Sequence, residues 1–241
     1  MHQSDVLVGT VDGPMPVLVA DGSAGRPAPV VVMLMDGGGV KPSLVAEAGR
    51  LAGHGYVVLL PNLFHRHAGT GPVESLTDMA RITELNTSLT NEMAVDDISA
   101  CLGHAAAMPT ADVSRCGLVG YCMGGRLSVV AAQALGDRIA AVASLHPGFM
   151  ATRSPTSPHL FLDQITAELY IGVPETDPYF SRAGVERLEA ALVNAGVAFR
   201  LETIAGTTHG FAVPGSEHHS AAGAALVWDR ALDLFSRQLQ P

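Results

Sequence analysis

Apolar runs of strand length alternate along this chain with longer stretches whose apolar residues recur at helical spacing. Pro29–Met35 (PVVVMLM) has no polar position, as expected of a strand buried on both faces of a sheet. Leu44, Ala48 and Leu51-Ala52 then return every three or four residues and predict a helix over Pro42–His54, ended by Gly55. Tyr56–Leu60, Cys116–Val119, Ile139–Leu145, Glu168–Val173 and Ala198–Ile204 read as further strands. Between and after them the pattern predicts one or two helices in Thr77–His104, then Gly124–Leu135, about Arg182 to Asn194, and Ala221–Leu239. Ahead of all of these, Val6–Val19 reads as a hairpin turning at Asp12-Gly13. Strands alternating with helices predict an α/β fold, a mainly parallel sheet with helices on both faces. No linker, repeat or low-complexity tract interrupts the pattern, so one domain over residues 1–241 is expected.

Composition narrows the function classes. The chain is 48% hydrophobic and 15% charged, against roughly 25% charged in an average domain. That excludes disorder and leaves ample material for a core. A net charge of −9 disfavours nucleic acid and anionic membrane surfaces as partners. No apolar run approaches the ~20 residues of a membrane span, and MHQSDVLVGT lacks the pattern of a signal peptide. Three cysteines, Cys101, Cys116 and Cys122, do not suggest a disulfide framework, so a reducing, cytoplasmic setting is expected. His65-x-His67 and His218-His219 lack metal-site spacing, and Gly37-Gly38-Gly39 lacks the context of a phosphate or dinucleotide loop. Neither a metal nor a cofactor is expected. Asp96-Asp97 reads as a solvated helix face.

The most informative segment is Gly117-Leu118-Val119-Gly120-Tyr121-Cys122-Met123-Gly124-Gly125. It has the form of the glycine-flanked nucleophile turn, with cysteine in place of serine, between a predicted strand and a predicted helix. Such a turn strains its central residue and crowds the positions two before and two after it, where Gly120 and Gly124 stand. The thiol of Cys122 would then sit at a helix N-terminus, which favours a thiolate. Cys101 lies on a helical face and Cys116 opens a strand, so both are assigned to the core.

A thiol nucleophile needs a base, and the base needs an orienting acid. In this arrangement the chain order is nucleophile, acid, histidine. His209, in Gly206-Thr207-Thr208-His209-Gly210-Phe211, follows the last strand at the sheet edge where ligands bind. Two acids follow the strand Glu168–Val173: Asp177, preferred because Asp177-Pro178 begins a turn, and Glu175 as the alternative. The backbone N–H groups of Met123 and Gly37 are the candidate oxyanion donors. Asp36, at the tip of its strand, is a further carboxylate, able to oppose or to hold the thiol or to bind a substrate group.

GLVGYCMGGRL around Cys122, ETDPYF around Asp177 and AGTTHGF around His209 together resemble the dienelactone hydrolase family, and HGYVVLLPNLFHR matches it in style. The resemblance spans nearly the whole chain. It implies a single α/β-hydrolase domain, a Cys122–His209–Asp177 triad, no cofactor, and a small lactone or activated ester as substrate. It also implies that Asp36, where family members often carry glutamate, holds the resting thiol. Dienelactone-cleaving members use two arginines for the substrate carboxylate. Arg81 lies in the region of one; Val213 stands where the other is expected. A dienelactone and another small lactone or activated ester therefore both stay open as the substrate. A catalytically silent small-molecule binding protein and a cysteine-dependent acyltransferase are the rival readings, and monomer and homodimer are both compatible with the chain.

Overall fold

A computed structural model describes residues 2–67 and 78–240. Its strands are β1 (His2–Thr10), β2 (Gly13–Asp21), β3 (Ala28–Leu34), β4 (Val57–Pro61), β5 (Ala111–Tyr121), β6 (Ile139–Leu145), β7 (Glu168–Thr176) and β8 (Phe199–Thr208). The helices are α1 (Pro42–Ala52), α2 (Met79–Ser88), α3 (Asn91–Ala106), α4 (Met123–Leu135), α5 (Arg182–Ala195) and α6 (Ala221–Leu239). All eight strands form one sheet in the order β1-β2-β4-β3-β5-β6-β7-β8. β1 and β2 are antiparallel to their neighbours, and β4 through β8 run parallel. The expected mainly parallel α/β architecture is the one found.

The centre of the sheet is buried on both sides. Val30 to Met35 are wholly inaccessible, as are Val57 to Leu59 and Leu118-Val119. α1 packs on β2 and β4, and α6 lies across β5, β6 and β7. α1 and α6 share one face, where the Arg50 guanidinium stands 4.8 Å over the Trp228 ring. α3 and α4 pack on β3, β5 and on each other. Chain order reverses direction between β3 and β5, which creates a crevice at their carboxyl ends. The register pairs Leu34 with Gly120, Gly120 with Ser144 and Tyr121 with Leu145, so β3, β5 and β6 end side by side.

Two local expectations are corrected and one is narrowed. The hairpin loop is Val11-Asp12, because Thr10 pairs with Gly13; the Thr10 hydroxyl donates to the Gly13 carbonyl and accepts from the Asp12 N–H, which fixes that register. The stretch read as one or two helices is two, α2 and α3, since the Thr90 hydroxyl accepts the Met93 N–H and starts a new helix; Thr77 lies outside the described residues. Asp97 is not solvated. It is 0% exposed and accepts from both terminal nitrogens of the Arg66 guanidinium, at 2.8 and 3.0 Å, with His65 Nε2 at 3.3 Å. It lies on the α3 face with Ala94, Ile98 and Cys101, which the core buries. No helix among the described residues is long and apolar enough to cross a membrane.

Candidate active site

Cys122 is the single residue between the end of β5 and the start of α4. Its φ of 52° and ψ of −112° lie where an L-residue stands only under strain. The turn is locked from both sides: the Cys122 N–H donates to Leu145 O at 3.0 Å, and the Arg126 N–H to Cys122 O at 3.2 Å. Gly120 and Gly124 allow this closeness. A Cβ on Gly120 would overlap the Gly124 carbonyl, and one on Gly124 would come within 2.5 Å of the backbone oxygens of Leu34 and Met35.

His209 follows the end of β8, and Asp177 follows the end of β7. The ring of His209 bridges the two sides: Nε2 lies 3.0 Å from Cys122 Sγ, and Nδ1 lies 2.8 Å from Asp177 Oδ2. The other Asp177 oxygen accepts the Tyr179 N–H at 2.8 Å, and the carboxylate side chain is 1% exposed. Glu175 is exposed and accepts the Gly206 N–H instead, at 2.8 Å. Burial pulls the His209 pKa down, but the hydrogen bonds to Asp177 and then Cys122 outweigh it and raise it to about 10. Such a constellation can pass a proton between a thiol and a leaving group. Cys101 and Cys116 are buried in the core, where desolvation raises both thiols, Cys116 to about 11.

A cleft of about 1070 Å³ opens over Cys122 and His209. Gly37 and Met123 line it, and no acceptor among the described residues takes their backbone N–H groups. Asp36 also lines it, but its carboxylate is engaged within its own loop, by the Gly38 N–H and Lys41 Nζ, each at 2.7 Å; no contact to the thiol is formed. Arg81 does not reach the cleft. It pairs with Glu84 at 2.8 Å, while Met79, Ile82 and Asn86 of the same helix line the wall. Val213 lines it too and is buried. No group of three or more His, Cys, Asp or Glu residues among the described residues could hold a metal ion.

Sequence reasoning missed several groups here. His146, the first residue after β6, has a φ of 37°, is wholly buried, and neither ring nitrogen meets a partner among the described residues. Its ring lies edge-on to that of His209 at 5.1 Å. Burial, then proximity to His209, holds its pKa well below the usual histidine range. Tyr179 packs on His209 at 4.7 Å, so two rings fix the imidazole plane. A polar residue ending an apolar strand beside β5 was the available signal for His146. For Arg126 the signal was its position four residues after Cys122 on the same helix.

The model of the dienelactone hydrolase family matches residues 15–239. A carboxymethylenebutenolidase of Rhodococcus opacus is 27% identical over 231 residues, covering 94% of this chain and 87% of that protein. A carboxymethylenebutenolidase of Pseudomonas putida is 25% identical over 239 residues, covering 98% and 97%. Among solved structures, a candidate dienelactone hydrolase from Klebsiella pneumoniae subsp. pneumoniae MGH 78578 superposes with a TM-score of 0.89 at 20% identity, over 98% of each chain. That likeness speaks to the fold, whereas the family match spans nearly the whole chain. The chain belongs to the dienelactone hydrolase family.

Proposed function

We propose that the protein hydrolyses small lactones or activated carboxylic esters through a thioester on Cys122. The observation that supports this most is the pair of His209 contacts, 3.0 Å to Cys122 Sγ and 2.8 Å to Asp177 Oδ2. In the first step the Cys122 thiolate adds to the carbonyl carbon, and the backbone N–H groups of Gly37 and Met123 stabilise the oxyanion. The C–O bond breaks, and the His209 imidazolium gives its proton to the departing alkoxide. In the second step neutral His209 takes a proton from water as the oxygen adds to the thioester. The C–S bond breaks, the carboxylic acid leaves, and thiolate and imidazolium are restored. Asp177 keeps the ring oriented and stabilises its charged form.

The relatives named as carboxymethylenebutenolidases support a lactone or ester as the substrate class. The test uses purified protein with phenyl acetate and a simple enol lactone. Wild type is expected to turn both over, and mass spectrometry of the intact protein is expected to trap an acyl adduct on Cys122. Cys122→Ala and His209→Ala are each expected to lose at least about a thousandfold in kcat. Wild-type turnover in either variant would falsify the proposal.

A further inference from the structure

Arg126 is the fourth residue of α4, one turn beyond Cys122. Helical side chains lean toward the N-terminus, so its guanidinium is carried back toward the thiol. It lines the cleft together with Cys122, and also a second cavity of about 390 Å³ beside Phe149. It is half-buried. Burial lowers its pKa, and the neighbouring Cys122 acts in the opposite sense; a guanidinium nonetheless stays charged.

No carboxylate among the described residues lies within ion-pair reach of Arg126. Its one side-chain contact is Nη1 to the neutral Asn91 amide oxygen, at 2.6 Å. Glu92 lines the second cavity but reaches Thr90 and its own backbone. The cleft's other cation, Lys41, is neutralised by Asp36 at 2.7 Å, and Arg81 is taken up by Glu84. A guanidinium has five N–H donors, and none of the Arg126 nitrogens is among the buried atoms lacking a partner. The donors that Asn91 leaves over are therefore accessible from the cavities. A half-buried guanidinium without a carboxylate partner is costly, and an anion supplied by a ligand removes that cost.

We infer that Arg126 is the anion anchor of the cleft, so that the favoured substrates carry a carboxylate a few atoms from the carbonyl that Cys122 attacks. The inference rests on the proposed hydrolase reading for its kinetic test, and stands apart from it in a binding test. It places the anion on α4 beside the nucleophile, away from Arg81 on α2.

The experiment compares monophenyl glutarate with its methyl ester, which differ by one negative charge, in wild type, Arg126→Met and Arg126→Lys. Glutarate binding is measured calorimetrically in Cys122→Ala with and without Arg126→Met. A charge-assisted hydrogen-bond pair contributes about 1.5–3 kcal/mol. The ratio of kcat/KM for charged over neutral ester is therefore expected to fall roughly 10- to 150-fold in Arg126→Met, mostly through KM. Arg126→Lys, which keeps the charge, should be intermediate. Glutarate affinity should fall at least about tenfold. An unchanged ratio together with unchanged glutarate affinity overturns the assignment. So does an unchanged ratio accompanied by a shifted pH profile of Cys122 alkylation by iodoacetamide, which would make Arg126 a stabiliser of the thiolate. Arg126-dependent glutarate binding in a protein that cleaves neither ester would sink the hydrolase reading and leave the anchor standing. If Arg126→Met does not fold, Arg126→Lys carries the test: a charge ratio and a glutarate affinity identical to wild type, with the point charge substituted for the fork, overturn it.

Discussion

Asp177 Oδ2 stands 2.8 Å from Nδ1 of His209, while Glu175, two residues earlier, turns to the Gly206 backbone. The end of the strand decides this: residues two apart share a face of a strand, but β7 ends at Thr176 and the Asp177 turn redirects the chain. Asp177→Asn keeps the shape but offers His209 an amide in place of a charge. It is expected to lower kcat on an activated ester by roughly 10³–10⁴-fold. Glu175→Gln removes only the charge behind one exposed hydrogen bond and should leave kcat within about threefold, with at most about 1 kcal/mol of stability lost. Steady-state kinetics on both variants checks the assignment, and the reverse ranking would hand the acid's role to Glu175.

The nucleophile turn tolerates no side chain at its flanks. At Gly120 an added Cβ overlaps the Gly124 carbonyl, and at Gly124 it meets two backbone oxygens of the β3 end at 2.5 Å. Backbone on both sides means that rotamer changes cannot relieve the clash. Gly120→Ala and Gly124→Ala are each expected to destabilise by roughly 3 kcal/mol or more, measured as a lowered denaturant midpoint. Gly103→Ala is the control, because nothing lies within 4 Å of its added Cβ, and alanine there favours the helix. Equal stability of all three variants would contradict the turn geometry.

His209 makes stability depend on pH with a definite sign. Its folded pKa is raised to about 10, against about 6.5 in the unfolded chain. The folded state therefore holds the proton more tightly. The stabilisation is fully present below about pH 6.5 and is lost as the pH rises toward 10. Urea unfolding at pH 6 and pH 9.5 should show wild type losing more stability than His209→Gln across that interval. Parallel pH dependence in the two proteins would mean that the ring is not held as an imidazolium between Asp177 and Cys122.

Much of this site was legible in the chain because its parts are local. A nucleophile turn is written in nine consecutive residues around Cys122, and the acid and histidine each follow a segment that reads as a strand. Asp36 and Arg81 were less legible, because their partners Lys41 and Glu84 lie on their own loop and helix, and motif position does not reveal which cation each carboxylate chooses. His146 and Arg126 belong to no pattern of nucleophile, acid and base. Their importance comes from what surrounds them among the described residues, a buried pair of unpartnered ring nitrogens and a guanidinium with no carboxylate in ion-pair reach. Absence of a partner is a property of the packed molecule.

Asp97 is the clearest case of packing overriding an expectation of solvent. Read as part of a charged helix face, it instead sits wholly buried, bound by two nitrogens of Arg66 and facing His65. Arg66 also reaches Asp12 at 2.7 Å, so this one guanidinium ties the β4 exit to α3 and to the β1–β2 loop. Asp97→Asn leaves Arg66 with only the part-exposed Asp12 as a carboxylate partner, and losing one member of a buried pair costs up to about 3–5 kcal/mol. Asp97→Asn should lose stability of that order. Asp97→Asn combined with Arg66→Met should recover part of it, since the second substitution removes the guanidinium whose buried partner is gone. The loss should change little between 0.05 and 0.5 M salt, because buried pairs are weakly screened. A double variant no more stable than Asp97→Asn, or a loss that disappears in salt, would show that Asp97 acts as a surface charge after all.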